Sequence, residues 1–201
     1  MHFQKVFYKN TVRISRREVA ILLRVKKMVT VVLPGEENKC CAKALCTVLE
    51  RYGGAVFADE SEITDFAPVA SVFFVCNGKQ IKAVPRASVL LLTDAKFQPN
   101  ISQNGAYRYI VADADTVLCK IPNSITVGMG KESLISVSSI EDTHLQICIQ
   151  RPVKTFSGKE ILPCEFSVFC AKKQDVKTVL FAFAVLLLSD KADTEKLTIQ
   201  L

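Results

Sequence analysis

The sequence contains no tryptophan, only two histidines and no Cys-x-x-Cys pair. A zinc site built from cysteine and histidine would therefore have few of the ligands it needs. The longest uninterrupted apolar run has ten residues (179–188), about half the length of a membrane-spanning helix. The N-terminus also lacks the apolar core of a signal peptide. These absences predict a cytoplasmic protein without a transmembrane segment or a metal site.

The composition is that of a globular protein. Of the 201 residues, 49% are hydrophobic and 23% are charged, which excludes a disordered chain. Most of the eight cysteines lie inside apolar runs, where a free thiol behaves as a small buried hydrophobic group. We therefore expect reduced cysteines in a reducing compartment, at positions 40, 41, 46, 76, 119, 148, 164 and 170.

The positive charge is concentrated at the N-terminus. Residues 1–27 contain eight basic residues and one acidic residue, whereas the rest of the chain has 18 basic and 19 acidic residues. Such a segment can bind nucleic acid or an anionic membrane surface, or it can be a solvated basic helix. The spacing of Ser15 and Glu18 is that of a capping box and predicts a helix over 16–26. We therefore predict a basic N-terminal helix or arm (1–27) followed by one domain (28–201).

The sequence of the first half of that domain predicts strands that alternate with helices. Its strands are short, continuous apolar runs, which are typical of a parallel sheet that is covered on both faces. A helix over 39–52 is indicated by apolar residues at helical spacing, and Gly53-Gly54 ends it. The predicted strands are 28–33, 55–58, 72–76, 88–93 and 109–112.

The second half has a different pattern. Apolar and polar residues alternate in several runs between 124 and 171, which predicts a small antiparallel subsheet. The chain then has an almost entirely apolar helix over about 174–188. Together the two patterns predict an α/β fold of three layers, with a mainly parallel sheet and a small antiparallel part near the C-terminus.

Several motifs, in order, resemble the central ATP-binding domain of the Mur ligase family, over roughly residues 28–199. Residues 29–41 (V-T-V-V-L-P-G-E-E-N-K-C-C) resemble the family's first strand and its phosphate loop, G-T-N-G-K-T-T. Residues 110–116 (I-V-A-D-A-D-T) resemble V-I-N-A-D-D, and 125–130 (I-T-V-G-M-G) resemble I-T-F-G-L-S. Residues 145–168 resemble a segment of uncharacterised Mur-ligase-like proteins of clostridial type. The resemblance implies a three-layer P-loop or Rossmann-like domain related to the enzymes that add amino acids to peptidoglycan precursors with ATP.

The loop departs from the family pattern in most of its positions. Aligned on the lysine, Gly35 matches the first glycine and Lys39 matches the lysine. Asn38 replaces the glycine before the lysine, and Cys40 replaces the threonine that binds Mg²⁺, although a neutral thiol is a poor ligand for a hard cation. Residues 36 and 37 are glutamates and lie where a triphosphate is expected. The resemblance therefore implies a vestigial phosphate loop formed by Gly35, Asn38, Lys39 and Cys40.

Few of the family's other site residues are present in this sequence. The family's acidic pair corresponds to Asp113 and Asp115, which as strand residues would point to the same face and could form a weak metal or hydroxyl-binding site. A turn at the end of the strand explains them equally well. Gln174-Asp175 replaces the His-Asn pair expected beside adenine, and the middle strands carry no histidine. We assign no catalytic residue and no metal ligand.

Three hypotheses follow. The first is a catalytically inactive Mur-ligase-like protein that binds a protein partner or serves as a scaffold, with no cofactor. The second is a reduced ATP-dependent ligase that still binds ATP and Mg²⁺ and is completed by a partner subunit. The third is an adaptor whose basic segment (1–27) binds nucleic acid or an anionic membrane.

Overall fold

A computed structural model describes residues 29–59, 63–64, 73–77, 88–93, 107–117, 121, 123–170, 175–192 and 197–199. The predicted basic helix over 16–26, and with it the N-terminal arm, lies outside these ranges. Within these ranges there are two helices, α1 (Lys39–Glu50) and α2 (Val176–Leu188), and a 3₁₀ turn (Glu36–Asn38) precedes α1. The strands are β1 (Val29–Leu33), β2 (Ala55–Ala58), β3 (Ile63–Thr64), β4 (Phe73–Asn77), β5 (Ser88–Leu92), β6 (Tyr109–Asp113), β7 (Ile125–Gly128), β8 (Ile135–Ile140), β9 (His144–Ile149), β10 (Val153–Lys154), β11 (Glu160–Ile161), β12 (Cys164–Cys170) and β13 (Leu197–Ile199).

Eleven strands form one mixed sheet in the order β13-β12-β9-β8-β7-β6-β5-β1-β4-β2-β3. Every pairing from β2 through β8 in this order is parallel. These strands are almost entirely buried, except for β8, of which only the first two residues are buried. Their continuous apolar sequences, such as V-T-V-V-L in β1, are buried on both faces of the sheet, as a parallel sheet requires. The predicted α/β fold with a mainly parallel sheet is confirmed.

The antiparallel part of the sheet consists of β8, β9 and β12, which we call the antiparallel extension. β9 pairs antiparallel with both β8 and β12, and β10 and β11 form a separate two-stranded hairpin. The predicted boundary of this part at residue 124 is wrong, because β7 pairs parallel with β6 and β8. β7 has four residues, too few for its alternation to distinguish a half-buried strand from a fully buried one.

The antiparallel extension projects beyond the carboxyl ends of the parallel strands. The last pairing between β7 and β8 joins Gly128 to Ser136, and β8 continues for four more residues. At about 3.3 Å per residue the extension rises about 13 Å above the end of β7.

Both helices lie on the same face of the sheet, where α1, α2 and most strands share one hydrophobic core. α1 buries the side that its apolar spacing predicts, through Ala42, Leu45, Cys46, Val48 and Leu49. α2 is buried from Thr178 to Leu188, as its all-round apolar sequence predicts. The opposite face carries two smaller buried clusters, and the third layer predicted to cover it falls on residues outside the described ranges.

No helix in the described part of the chain has the length and hydrophobicity needed to cross a lipid bilayer.

Candidate functional site

The loop between β1 and α1 lies at the carboxyl edge of the parallel sheet, the edge where such sheets bind ligands. Gly35 has φ of +94°, a conformation that favours glycine, and the Glu37 side chain folds back over it. A Cβ atom on Gly35 would lie 2.6 Å from the carboxyl carbon of Glu37. The glycine therefore allows a close approach to the loop backbone, but the approaching group is a carboxylate of the protein itself.

Two asparagines hold this loop in place. The Asn38 amide donates to the carbonyl of Pro34, and its oxygen accepts a hydrogen bond from the Thr93 hydroxyl after β5. The side chain of Asn38 forms no capping bond with α1, although it precedes the helix. Asn77, the last residue of β4, donates to the carbonyls of Leu33 (3.0 Å) and Gly35 (2.7 Å). The loop is thus tied to the ends of both strands that flank β1.

Lys39, aligned with the phosphate-binding lysine, forms an ion pair with a carboxylate. Its Nζ lies 2.6 Å from Oδ2 of Asp59, the residue after β2. The Asp59 side chain is only 5% exposed, whereas that of Lys39 is 39% exposed. The ammonium group that the alignment offers to a phosphate is therefore neutralised by a buried carboxylate.

Cys40 and Cys41 follow Lys39 in the first turn of α1. Cys40 is exposed. Cys41 points towards α2, where its Sγ lies 3.8 Å from Oγ1 of Thr178, and burial raises the pKa of its thiol. Cys41 therefore packs between the two helices, and Cys40 is the thiol that solvent reaches.

The two aspartates at the end of β6, Asp113 in the strand and Asp115 after it, do not form a pair. Asp113 is buried, and its Oδ1 accepts a hydrogen bond from the backbone N–H of Asp115 at 2.9 Å. This Asx turn ends the strand, so Asp115 is exposed and accepts instead from the N–H of Met129 at 3.1 Å. Of the two alternatives that the sequence left open, the structure has the turn at the end of the strand, because β6 ends at Asp113 and Asp115 does not share a strand face with it.

Lys177, which the sequence analysis did not identify as a site residue, binds the second carboxylate oxygen of Asp113. Its Nζ lies 2.7 Å from Asp113 Oδ2, and this hydrogen bond raises the pKa of Lys177. The signal available in the sequence was a lysine in the first turn of a helix, where the helix dipole is unfavourable for a cation. A carboxylate near that position was therefore to be expected.

These residues form one row along the carboxyl edge. Asp59, Asn77, residues 34–38, Thr93 and Asp113 lie at the ends of β2, β4, β1, β5 and β6, which are neighbours in the sheet. Thr116 extends the row by donating to the carbonyl of Thr93 at 3.0 Å. Among the described residues no three His, Cys, Asp or Glu side chains are grouped so as to hold a metal ion. The polar residues of this row are held by hydrogen bonds and ion pairs to other groups of the protein.

No protein-family model and no curated protein matches the chain. A solved structure of UDP-N-acetylmuramoyl-L-alanyl-D-glutamate–2,6-diaminopimelate ligase is similar to 89% of it, with a TM-score of 0.50 and 9% sequence identity. The chain has a Mur-ligase-like fold. The similarity spans 47% of the ligase, so this Mur-ligase-like chain corresponds to about half of that enzyme's length.

Proposed function

We propose that this Mur-ligase-like protein is catalytically inactive, binds no Mg-ATP and acts as a binding or scaffolding module for a protein partner. The observation that carries the proposal is the Glu37 carboxylate lying against Gly35, in the loop that the resemblance assigns to a triphosphate. A phosphate loop works because its backbone N–H groups and glycines let the polyphosphate come close. Here the Glu37 carboxylate lies where a phosphate would come close to the backbone, and its negative charge would repel the phosphates.

The charges nearby support the same proposal. Lys39 and Lys177, two lysines that the structure describes beside this row, both form ion pairs with almost fully buried carboxylates. To bind phosphate, Lys39 would have to leave Asp59, and a buried carboxylate would lose its counterion. Lys177 likewise sits on Asp113, the buried carboxylate that could otherwise attract a divalent cation. Cys40 supplies no oxygen ligand for Mg²⁺.

The test is calorimetric titration of Mg-ATP into the wild-type protein and into two variants. One is rebuilt to the family pattern with Glu36→Thr, Glu37→Asn, Asn38→Gly and Cys40→Thr. Because Asn38 also ties the loop to Pro34 and Thr93, the second variant keeps it and carries only Glu37→Asn and Asp59→Asn. Glu132→Gln, which removes one exposed carboxylate from another loop, is the control.

We expect no binding to the wild type or the control, and measurable binding to at least one of the two variants. A true binder at a ligand concentration of 100 Kd would gain about 2.7 kcal/mol of stability, which a thermal shift detects. Micromolar binding to the unaltered protein would contradict the proposal and support a reduced ATP-dependent ligase, completed by a partner subunit.

Three finer points belong to the same proposal. We place the protein in the cytoplasm, and the seven cysteines in the described ranges, which are all free, fit a reducing compartment. We place its relatives among the clostridial-type Mur-ligase-like proteins, on the sequence of residues 145–168. Binding of nucleic acid or an anionic membrane by residues 1–27 stays a prediction, and loss of a salt-dependent affinity on their removal would support it.

A further inference from the structure

One edge of β8 is unpaired where the strand rises above the carboxyl ends of the parallel strands. On one side, β8 pairs with β9 from Ile135 to Ile140. On the other side, its pairing with β7 ends at Ser136, so no described strand lies beside residues 137–140. The exposure follows the pairing, because Ile135 and Ser136 are buried whereas residues 137–140 are half-buried or exposed. We call residues 137–140 the free edge.

A free edge of this kind is suited to pairing with a further strand. Its backbone N–H and C=O groups on the open side have no partner strand in the part of the chain that the structure describes, and an extended peptide can pair with such groups. Its sequence, V-S-S-I, contains neither the lysine nor the proline that commonly protects an edge. The outermost strands of the sheet are shorter, with two residues in β3 and three in β13. Residues 137–140 therefore offer the longest stretch for pairing among these three edges.

The surface around the free edge is negatively charged. Glu141 and Asp142 follow it directly in the turn to β9, and Glu132 lies in the loop that joins β7 to β8; all three are exposed. Asp115, also exposed, accepts a hydrogen bond from the backbone of the same loop. Lys131 is the one basic residue of that loop. A strand that pairs here meets four carboxylates and one ammonium group, which favours a strand that carries lysine or arginine.

A buried hydroxyl group beside Asp115 also lacks a partner. Ser133 is 1% exposed, and its Oγ has no hydrogen bond among the described residues. A Cβ atom on Gly128 would lie 2.9 Å from this Oγ and 3.1 Å from Oδ1 of Asp115, so the two oxygens flank one point beside the loop. A lysine ammonium group carries three donors and can donate to two such acceptors at once.

Apolar side chains lie at both ends of the same surface. Ile140, the last residue of the free edge, is 53% exposed, and Met129, in the loop at its base, is 48% exposed. An added strand would cover part of both side chains and remove apolar area from water. The surface thus combines unpaired backbone, negative charge and exposed apolar groups.

We propose that the protein partner binds through an extended segment bearing lysine or arginine, which adds to the free edge of β8 as a further strand. Main-chain hydrogen bonds to residues 137–140 supply affinity, and the surrounding carboxylates select a basic segment. The inference rests on the proposed role as a module for a protein partner, and it adds the chemistry of that partner and the place where it binds.

The test uses three labelled hexapeptides, titrated into the full chain at low salt and followed by fluorescence anisotropy. The first alternates lysine with valine, the second has glutamate in place of lysine, and the third has proline in place of the central valine. We expect the first peptide to bind and the other two to bind about tenfold more weakly or worse. The carboxylates repel the second peptide, and the third lacks a backbone donor for the strand ladder.

Hydrogen exchange and two double variants locate the peptide. Amides of residues 137–140 should exchange about fivefold more slowly when the first peptide is bound, whereas amides of β10 and β11 should not change. Glu132→Gln with Glu141→Gln should weaken binding about fivefold, because two exposed ion pairs are lost. Glu50→Gln with Glu160→Gln is the control, which removes the same charge at exposed residues away from the free edge and should leave binding unchanged.

Four results would each overturn the proposal. They are no binding of the first peptide, equal binding of the glutamate or proline peptide, unchanged exchange at residues 137–140, and an equal effect of the control variant. A concentration-dependent dimer that the first peptide dissociates would assign the free edge to a second copy of this chain and would also contradict it. The Mg-ATP titration concerns the loop of residues 34–40, and the peptide assay contains no nucleotide. A failure of the proposed function is therefore distinguishable from a failure of this inference.

Discussion

At the scale of single residues, Lys39 and Lys177 have the same relation to their partners. In each ion pair the lysine is about two-fifths exposed and the aspartate is at most 5% exposed. An exposed ammonium group is well solvated without a partner, whereas a buried carboxylate is not. The pairs are therefore needed mainly to compensate Asp59 and Asp113, which lie at the ends of buried strands.

Replacing Lys177 by methionine should lower the free energy of unfolding. The substitution leaves the Asp113 carboxylate buried without its counterion, at a cost of about 1–3 kcal/mol, since the solvent that reaches Lys177 also screens the pair. Adding Asp113→Asn should recover most of the loss, because the amide oxygen still accepts from Asp115 N–H. Urea unfolding measures both variants. Lys131→Met is the control at an exposed lysine, and an equal effect of the two methionine substitutions would contradict the prediction.

The buried thiol of Cys46 should make the protein less stable in alkali. Burial, assisted by the charge of Glu50, raises its pKa from 9.0 to about 12 in the folded protein. Between these values the thiol ionises only in the unfolded chain, so the free energy of unfolding falls as the pH rises from 9 to 12. Cys46→Ala should reduce the slope in this range by up to about 1.4 kcal/mol per pH unit. Urea unfolding of the wild type and of Cys46→Ala from pH 6 to 11 measures this slope. The free energies of unfolding of the two proteins should run parallel below pH 8. Equal slopes above pH 9 would contradict the prediction.

At the scale of elements, the contrast between α1 and α2 lies in how each begins. α1 follows a 3₁₀ turn and has no side-chain cap, because Asn38 holds the loop instead. α2 is capped by Asp175, whose carboxylate accepts from the N–H groups of Lys177 and Thr178 and from the Thr178 hydroxyl. The cap fixes the first turn of α2, and with it the position of Lys177 over Asp113.

Asp175→Ala should therefore destabilise the protein by about 1 kcal/mol, the usual effect of losing a helix N-cap. Asp175→Asn keeps a capping oxygen and should cost less. Thermal unfolding followed by circular dichroism measures the two variants against the wild type. If alanine and asparagine had the same effect, the contribution would come from the charge of Asp175 and not from its hydrogen bonds.

Local sequence patterns predicted most of these elements but not their long-range contacts. The predicted strands over 28–33, 55–58 and 88–93 match β1, β2 and β5 within one residue, because apolar runs of that length report burial directly. The parallel pairing of β7 and the ion pair between Asp113 and Lys177 were missed. Sixty-four residues separate Asp113 from Lys177, and no local pattern specifies a contact over that distance. The loop of the candidate site was located by its motif, whereas the position of Glu37 depends on the folded backbone.

At the scale of the whole molecule, one hydrophobic core joins the parallel strands to the antiparallel extension. It runs from β2 through β12, and α2 packs across the junction. Phe183 of α2 is fully buried and meets Phe166 of β12 edge-to-face, with ring centroids 5.0 Å apart. Since the same helix also contacts β6 and β7, the extension has no separate core of its own among the described residues. The two parts should unfold together.

Phe183→Ala tests this expectation, because it removes a buried aromatic ring at the junction. We expect a loss of about 3–5 kcal/mol in the free energy of unfolding. If the two parts unfold as one cooperative unit, the free energy of opening measured by hydrogen exchange should fall by the same amount for amides in β1 and for amides in β9, which lie on opposite sides of α2. Phe169→Ala, near the end of β12, is the matched control and should cost less, since Phe169 is 37% exposed whereas Phe183 is fully buried. Faster exchange in β9 with unchanged exchange in β1 would mean that the extension opens independently, and the single core would then not act as one unit.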